Sequence, residues 1–154
     1  MTIAECQVET WKHIETVRKY IRSFVDRLTT RGIEHDRAKL ASPEVELFTK
    51  YTPKLASTTY GSEAYTKFLN ELQPALNHHY ATYRHHPEHF KNGINDMNLL
   101  DVVEMICDWK AATLRQKDGN LLKRIEINAQ RFGFDEQFTQ ILLNTAKMFD
   151  EWEA

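Results

Sequence analysis

Cysteine is almost missing from this chain. Cys6 and Cys107 are the only two in 154 residues, and neither belongs to a CxxC pair. That excludes a disulfide framework and a thiolate-rich structural zinc site, and it predicts a reducing compartment with two buried or half-buried thiols. No apolar run approaches the roughly 18 residues of a membrane span, and the N-terminus shows no signal-peptide core. A cytoplasmic protein without a membrane partner is expected. One-sided charge is absent too: the net charge is −2, with both signs interspersed. Nonspecific binding to duplex nucleic acid or an anionic bilayer needs a basic footprint that this chain lacks. A nucleotide held by a small local patch is still compatible. Glycine (5) and proline (4) are few, and no repeat, low-complexity segment or convincing strand is visible.

What the chain does contain is helical periodicity. Its length suits one domain, large enough to bury roughly two-thirds of its unfolded surface. Trp11, Ile14, Val17, Tyr20, Ile21, Phe24, Val25 and Leu28 fall three and four apart, predicting a helix over 4–30 that ends at Gly32. A short turn at 34–41 follows. Ser42-Pro43-Glu44 reads as N-cap, first-turn proline and first-turn acid of a helix to about Lys50. A loop over 52–61 leads to Ser62, which caps a helix to about Tyr83, with a kink or break near Gln73 caused by Pro74. "RHHPEHFKNGI" connects to a helix over 99–116 capped by Asn98 and ended by the "KDGN" turn. Helices near 121–131 and 135–152, separated by Gly133, complete an all-α domain of six or seven helices. Its core spans about 5–117. The helices of 121–152 are rich in phenylalanine and serve as packing elements or as the surface of a homo-oligomer.

All seven histidines precede residue 90, and His78, His79, His85, His86 and His89 fall within 12 positions. Imidazole is the commonest side-chain ligand for transition metals, so this crowding points to a metal site. His13 lies beside the apolar stripe of the first helix, where a backbone carbonyl or a metal would satisfy its ring. His35-Asp36 sits at a helix end, where adjacent side chains can converge. His89, in "PEHF", reads as structural. Asp101, Glu104 and Asp108 stand at i, i+3 and i+7 on one face of a largely apolar helix, and stacked carboxylates there require cationic compensation. Arginine, lysine or a metal would supply it. Trp11, Tyr80, Tyr83 and Trp109 fall at core spacing, with base stacking the less expected role.

His13, His35-Asp36 and Asp101 follow the order H…HD…D, and the chain resembles the HD-domain phosphohydrolases. "HDRAKLASP" matches the pattern H-D-x-x-K-I/L-x-x-P of the branch that hydrolyses cyclic dinucleotides. "DVVEM" resembles the segment around that superfamily's last metal-binding aspartate. The intervals, 22 residues from His13 to His35 and 65 from Asp36 to Asp101, suit that fold. "HHPEHF" and "EMICDWKAAT" are similar to segments of a small bacterial and phage family of this length. The Gly-Tyr-Pro signature of the cyclic-dinucleotide branch is missing, so that substrate is not carried over.

The resemblance implies a five-helix core in which His13, His35, Asp36 and Asp101 hold one or two ions of Mn, Fe, Co, Ni or Zn, with Asp108 competing with Asp101 for the last position. It implies hydrolysis of a phosphate ester or anhydride of a (deoxy)nucleotide by metal-activated water. Glu104 or Asp108 would orient the water or act as base. Lys39 and Arg84 would neutralise phosphate charge, although a salt bridge from Arg84 to Glu88 or Asp101 fits equally. His78, His79, His85 and His86 are candidates for leaving-group protonation, phosphate binding or a second metal. Two rivals stand beside this reading. One is an Mg-dependent all-α nucleotide pyrophosphohydrolase using Asp101, Glu104 and Asp108. The other is a non-catalytic metal-binding interaction module.

Overall fold

The computed structural model describes residues 1–116 and 118–152. Among them the regular structure is six α-helices and three short 3-10 turns, with no strand. The all-α expectation is met. The chain divides into two compact units, Met1–His35 and Asp36–Ala154.

The first unit is a single helix, α1, Ile3–Glu34. Thr2 starts it with a capping box: the Glu5 N–H donates to Thr2 Oγ1 at 3.2 Å, and the Thr2 N–H donates to Glu5 Oε2 at 2.7 Å. The helix does not stop at Gly32 as expected. A helical glycine costs only about 1 kcal/mol relative to alanine, too little by itself to end a helix. The stop comes later, where His35 leaves the helical region (φ −52°, ψ 127°). Asp36 then takes the left-handed conformation (φ 56°, ψ 15°), one that aspartate tolerates better than most residues. Cys6, on this helix, is exposed, as is Cys107 in the second unit, where the composition had suggested buried or half-buried thiols.

The second unit begins with a 3-10 turn over Arg37–Leu40. Its first helix, α2, runs Val45–Ala56, longer than expected and later in its start. Glu44, not Ser42, occupies the N-cap, and its side chain makes no cap hydrogen bond because it is turned into the protein. Pro53 lies inside α2 where a loop was expected. Leu47, Tyr51 and Leu55 recur every fourth residue and pack against the next helix, which outweighs the one backbone bond that proline removes. That next helix, α3, spans Glu63–Thr82. Ser62 caps it as predicted, accepting from the Tyr65 N–H at 3.2 Å. Pro74 does not break it, since Leu72, Ala75 and Leu76 are buried on either side and hold the helix across the gap.

Two 3-10 turns, Pro87–His89 and Gly93–Asp96, form the connection to α4, Leu99–Leu114. Asn98 caps α4 in a second capping box with Asp101. Of the "KDGN" turn, Lys117 lies outside the described residues; Gly119 sits so close to Thr113 that an added Cβ would come within 1.8 Å of its carbonyl oxygen. Helices α5, Leu121–Phe132, and α6, Glu136–Trp152, are joined through Gly133 (φ 68°). Two apolar cores result. One joins α2 to α3 around Tyr51, Leu72 and Leu76. The other joins α4, α5 and α6 around Met105, Ile106, Trp109, Ile125 and Leu142, with Phe134 stacked on Trp109.

Candidate metal centre

Between those cores lies a buried polar cluster. The inward stripe of α3 runs Leu72, Ala75, Leu76, His79, at i, i+3, i+4 and i+7, so helical geometry carries an imidazole into the interior behind three apolar residues. His79 is 1% exposed and His85 fully buried. Unpaired, such groups would each cost on the order of 1–3 kcal/mol. Both have carboxylates behind them. His79 Nδ1 hydrogen bonds to Glu44 Oε2 at 3.0 Å, and His85 Nδ1 lies 3.0 Å from Glu104 Oε1. The tautomer that donates Nδ1–H of His79 to Glu44 would leave its Nε2 free to ligate a metal.

Those Nε2 atoms point to one place. His79 Nε2 is 3.1 Å and His85 Nε2 3.6 Å from Asp36 Oδ1, and His86 Nε2 is 3.0 Å from His79 Nε2. One ligand atom from each of Asp36, His79, His85 and His86 falls within 4.8 Å of the others. Burial, then the neighbouring His85 and His79, hold the His86 imidazole well below its ordinary range, so it is neutral and able to ligate. Three imidazoles and one carboxylate could therefore hold a metal ion. The N/O mixture suits Mn, Fe, Co, Ni or Zn.

The surroundings hold these groups in place. The Ala38 N–H donates to the Tyr83 hydroxyl at 2.6 Å, tying the Asp36 turn to the end of α3. The Tyr83 ring lies 4.7 Å from that of His79, and Phe48 meets His79 edge-on at 5.9 Å. Lys39 Nζ donates to Asp36 Oδ2 at 2.6 Å, leaving Oδ1 toward the histidines.

The other residues expected at the site are distributed as follows. Asp101 is fully buried, but both its oxygens are engaged: Arg84 grips it through Nε (3.1 Å) and Nη2 (3.0 Å), and the Asn98 N–H donates to it at 2.9 Å. Of the two salt bridges considered for Arg84, the structure forms the one to Asp101; Glu88 pairs with Arg131 instead. Asp108, one turn beyond Glu104 on α4, is half-buried. His78 is part-exposed and reaches Glu44 Oε1 at 2.7 Å. His89 Nδ1 bonds to the Tyr80 carbonyl at 2.8 Å, the structural role expected of it. His13 lies on an exposed face of α1 and His35 is its half-buried C-cap. Trp109 is core, while Tyr80 and Tyr83 flank the histidines. Glu44 was missed as a site residue. Its position after Pro43 reads as a helix-start acid, and no local signal shows that it turns inward.

A family model for DUF5662, a family of unknown function, matches residues 2–148, and the chain belongs to that family. No curated protein and no solved structure matches the chain.

Proposed function

We propose that this DUF5662 protein is a metal-dependent phosphohydrolase whose ion is held by Asp36, His79, His85 and His86. One observation carries the reading: Nε2 atoms of buried histidines converge on Asp36 Oδ1 while carboxylates of Glu44 and Glu104 stand behind two of the rings. A carboxylate behind a metal-binding histidine fixes its tautomer and raises its basicity. Those four ligands come from residues 36–86, so the proposal calls on neither His13 nor Asp101.

A divalent ion bound there supplies Lewis acidity toward a phosphoryl oxygen and a water ionised near neutral pH. Around it, Glu104 acts as a positioning residue for His85, which leaves Asp108 as the carboxylate of that helix face to orient water. Lys39 already lies against Asp36 and is the cation placed to offset phosphate charge. Arg84 is committed to Asp101 and acts by holding the start of α4. The nucleotide character of the substrate rests on the resemblance to HD-domain enzymes. The rival using Asp101, Glu104 and Asp108 alone loses support from the Arg84 clasp on Asp101. The deep burial of His79 and His85 would also suit a structural ion, and turnover separates that case from catalysis.

The test is elemental analysis of protein purified without chelator or metal-affinity tag, paired with hydrolysis of bis-p-nitrophenyl phosphate and of nucleotides. About one or two equivalents of transition metal, lost together with hydrolysis in Asp36→Ala and in His79→Ala, is the expected result. A wild type that neither contains nor binds Mn, Co or Zn would refute the reading. Metal without turnover would place the ion in a structural role.

A further inference from the structure

We infer that Arg84 and Asp101 are positioning residues for His85, and through it for the metal centre proposed above, on which this inference rests. Arg84 and His85 are consecutive in the chain, and the carboxylates they meet, Asp101 and Glu104, stand one turn apart on α4. Residues at i and i+3 of a helix share a face and lie about 5–6 Å apart, and consecutive Cα atoms are about 3.8 Å apart. Two neighbouring loop residues can therefore grip one helix at two points. His85 Nδ1 lies 3.0 Å from Glu104 Oε1. That contact by itself fixes one ring atom but not the direction in which Nε2 points. A second contact, one residue earlier, fixes the backbone from which the ring hangs.

Arg84 supplies the second contact in a form that resists rotation. Its Nε donates to Asp101 Oδ1 at 3.1 Å and its Nη2 to Oδ2 at 3.0 Å, a two-bond fork that a lysine cannot reproduce. The guanidinium carbon lies over the Phe90 ring, 4.7 Å from its centre. Asp101 is held in its turn: it is fully buried, and the Asn98 N–H donates to its Oδ2 at 2.9 Å in the cap of α4. A buried carboxylate stripped of its cation is strongly disfavoured, so the pair stays closed. The other ion pair of this loop, Glu88 with Arg131 at 2.7 Å, lies at the surface, where such pairs contribute little. From the backbone held by Arg84, His85 Nε2 reaches to 3.6 Å of Asp36 Oδ1.

Two readouts on the full chain separate this role from general stability. In metal-free protein, nitrogen NMR of the imidazoles tests the tie without any ion. The wild-type His85 ring is expected in one tautomer, protonated at Nδ1, and Arg84→Lys or Asp101→Asn mixes the tautomers. Arg84→Lys keeps a cation beside Asp101, so it serves even where the buried Asp101→Asn fails to fold. With cobalt added, competition with a chelator reads affinity and the visible spectrum reads coordination. Either variant lowers cobalt affinity about 10- to 100-fold and changes the spectrum of the bound ion. The double variant loses no more than the worse single one, because both changes open the same tie. Arg131→Gln, which breaks the surface pair of the same loop, leaves affinity, spectrum and tautomer as in wild type. An equal loss in Arg131→Gln, additive losses in the double variant, or an unchanged His85 ring and cobalt spectrum in Arg84→Lys would each overturn the inference. A wild type that binds no cobalt refutes the metal reading instead, and the nitrogen spectra then still decide whether Arg84 and Asp101 hold His85.

Discussion

Glu44 shows how much one side chain decides. It is fully buried, and its two oxygens serve two histidines, His78 and the buried His79. Glu44→Gln keeps the shape but removes the charge that holds the His79 tautomer. Metal affinity should fall by about 10- to 100-fold, read by competition with a fluorescent chelator, while the helix content stays unchanged. Unaltered affinity would mean that Glu44 serves packing alone. Tyr65 makes a different residue-scale case. Burial pushes its phenol from 10.0 up to about 12. Because the folded state resists ionisation, the stabilisation is complete below pH 10 and is lost as the pH rises toward 12. By the linkage relation that is on the order of 2–3 kcal/mol. Chemical denaturation across this range should show a drop that Tyr65→Phe flattens; an identical drop in the variant would assign the loss elsewhere.

At the scale of elements, the caps were legible and the stops were less so. Thr2, Ser62, Asn98 and Asn120 each accept a backbone N–H at a helix start. Three of those starts, at Ser62, at Asn98 and near residue 121, were readable, because a cap is an interaction over two or three positions. Pro53 was misleading and Pro74 makes no break, because tertiary packing on α2 and α3 outweighs a local propensity cost; Gly32 was misleading because a glycine inside a helix costs only about 1 kcal/mol. Gly119 is the glycine whose lack of a side chain the fold requires most directly: its close approach to the Thr113 carbonyl admits no Cβ. Gly119→Ala must displace the turn between α4 and α5. A loss of roughly 1–3 kcal/mol is expected in urea melts, as for an overpacked site. A neutral substitution would show that the turn relaxes freely.

For the Asp36–Ala154 unit as a whole, the polar cluster is a joint. His79 belongs to the α2–α3 side through Phe48 and Glu44, and His85 reaches Glu104 on the α4–α6 side. A metal bound there would tie two separate apolar cores together, so it should raise stability by mass action. Added Mn or Zn is expected to raise the thermal midpoint of chelator-treated wild type and to leave Asp36→Ala unmoved. An equal shift in both would locate the binding elsewhere.

Helix identity and the crowding of histidine came from the sequence by itself. Periods of three and four residues, capping side chains and composition are local properties, and they are written in consecutive positions. Asp36 was singled out in the same way, by its place beside His35 at a helix end. Only the tertiary structure decided which imidazoles meet it. Residues 36, 79, 85 and 86 converge through chain reversals and packing between helices, and no spacing in the sequence encodes that. The same distinction explains Asp101. Its place on the α4 carboxylate face was readable, but whether it meets a metal or an arginine depends on where Arg84 lands 17 residues earlier in the chain, and packing places that guanidinium on it.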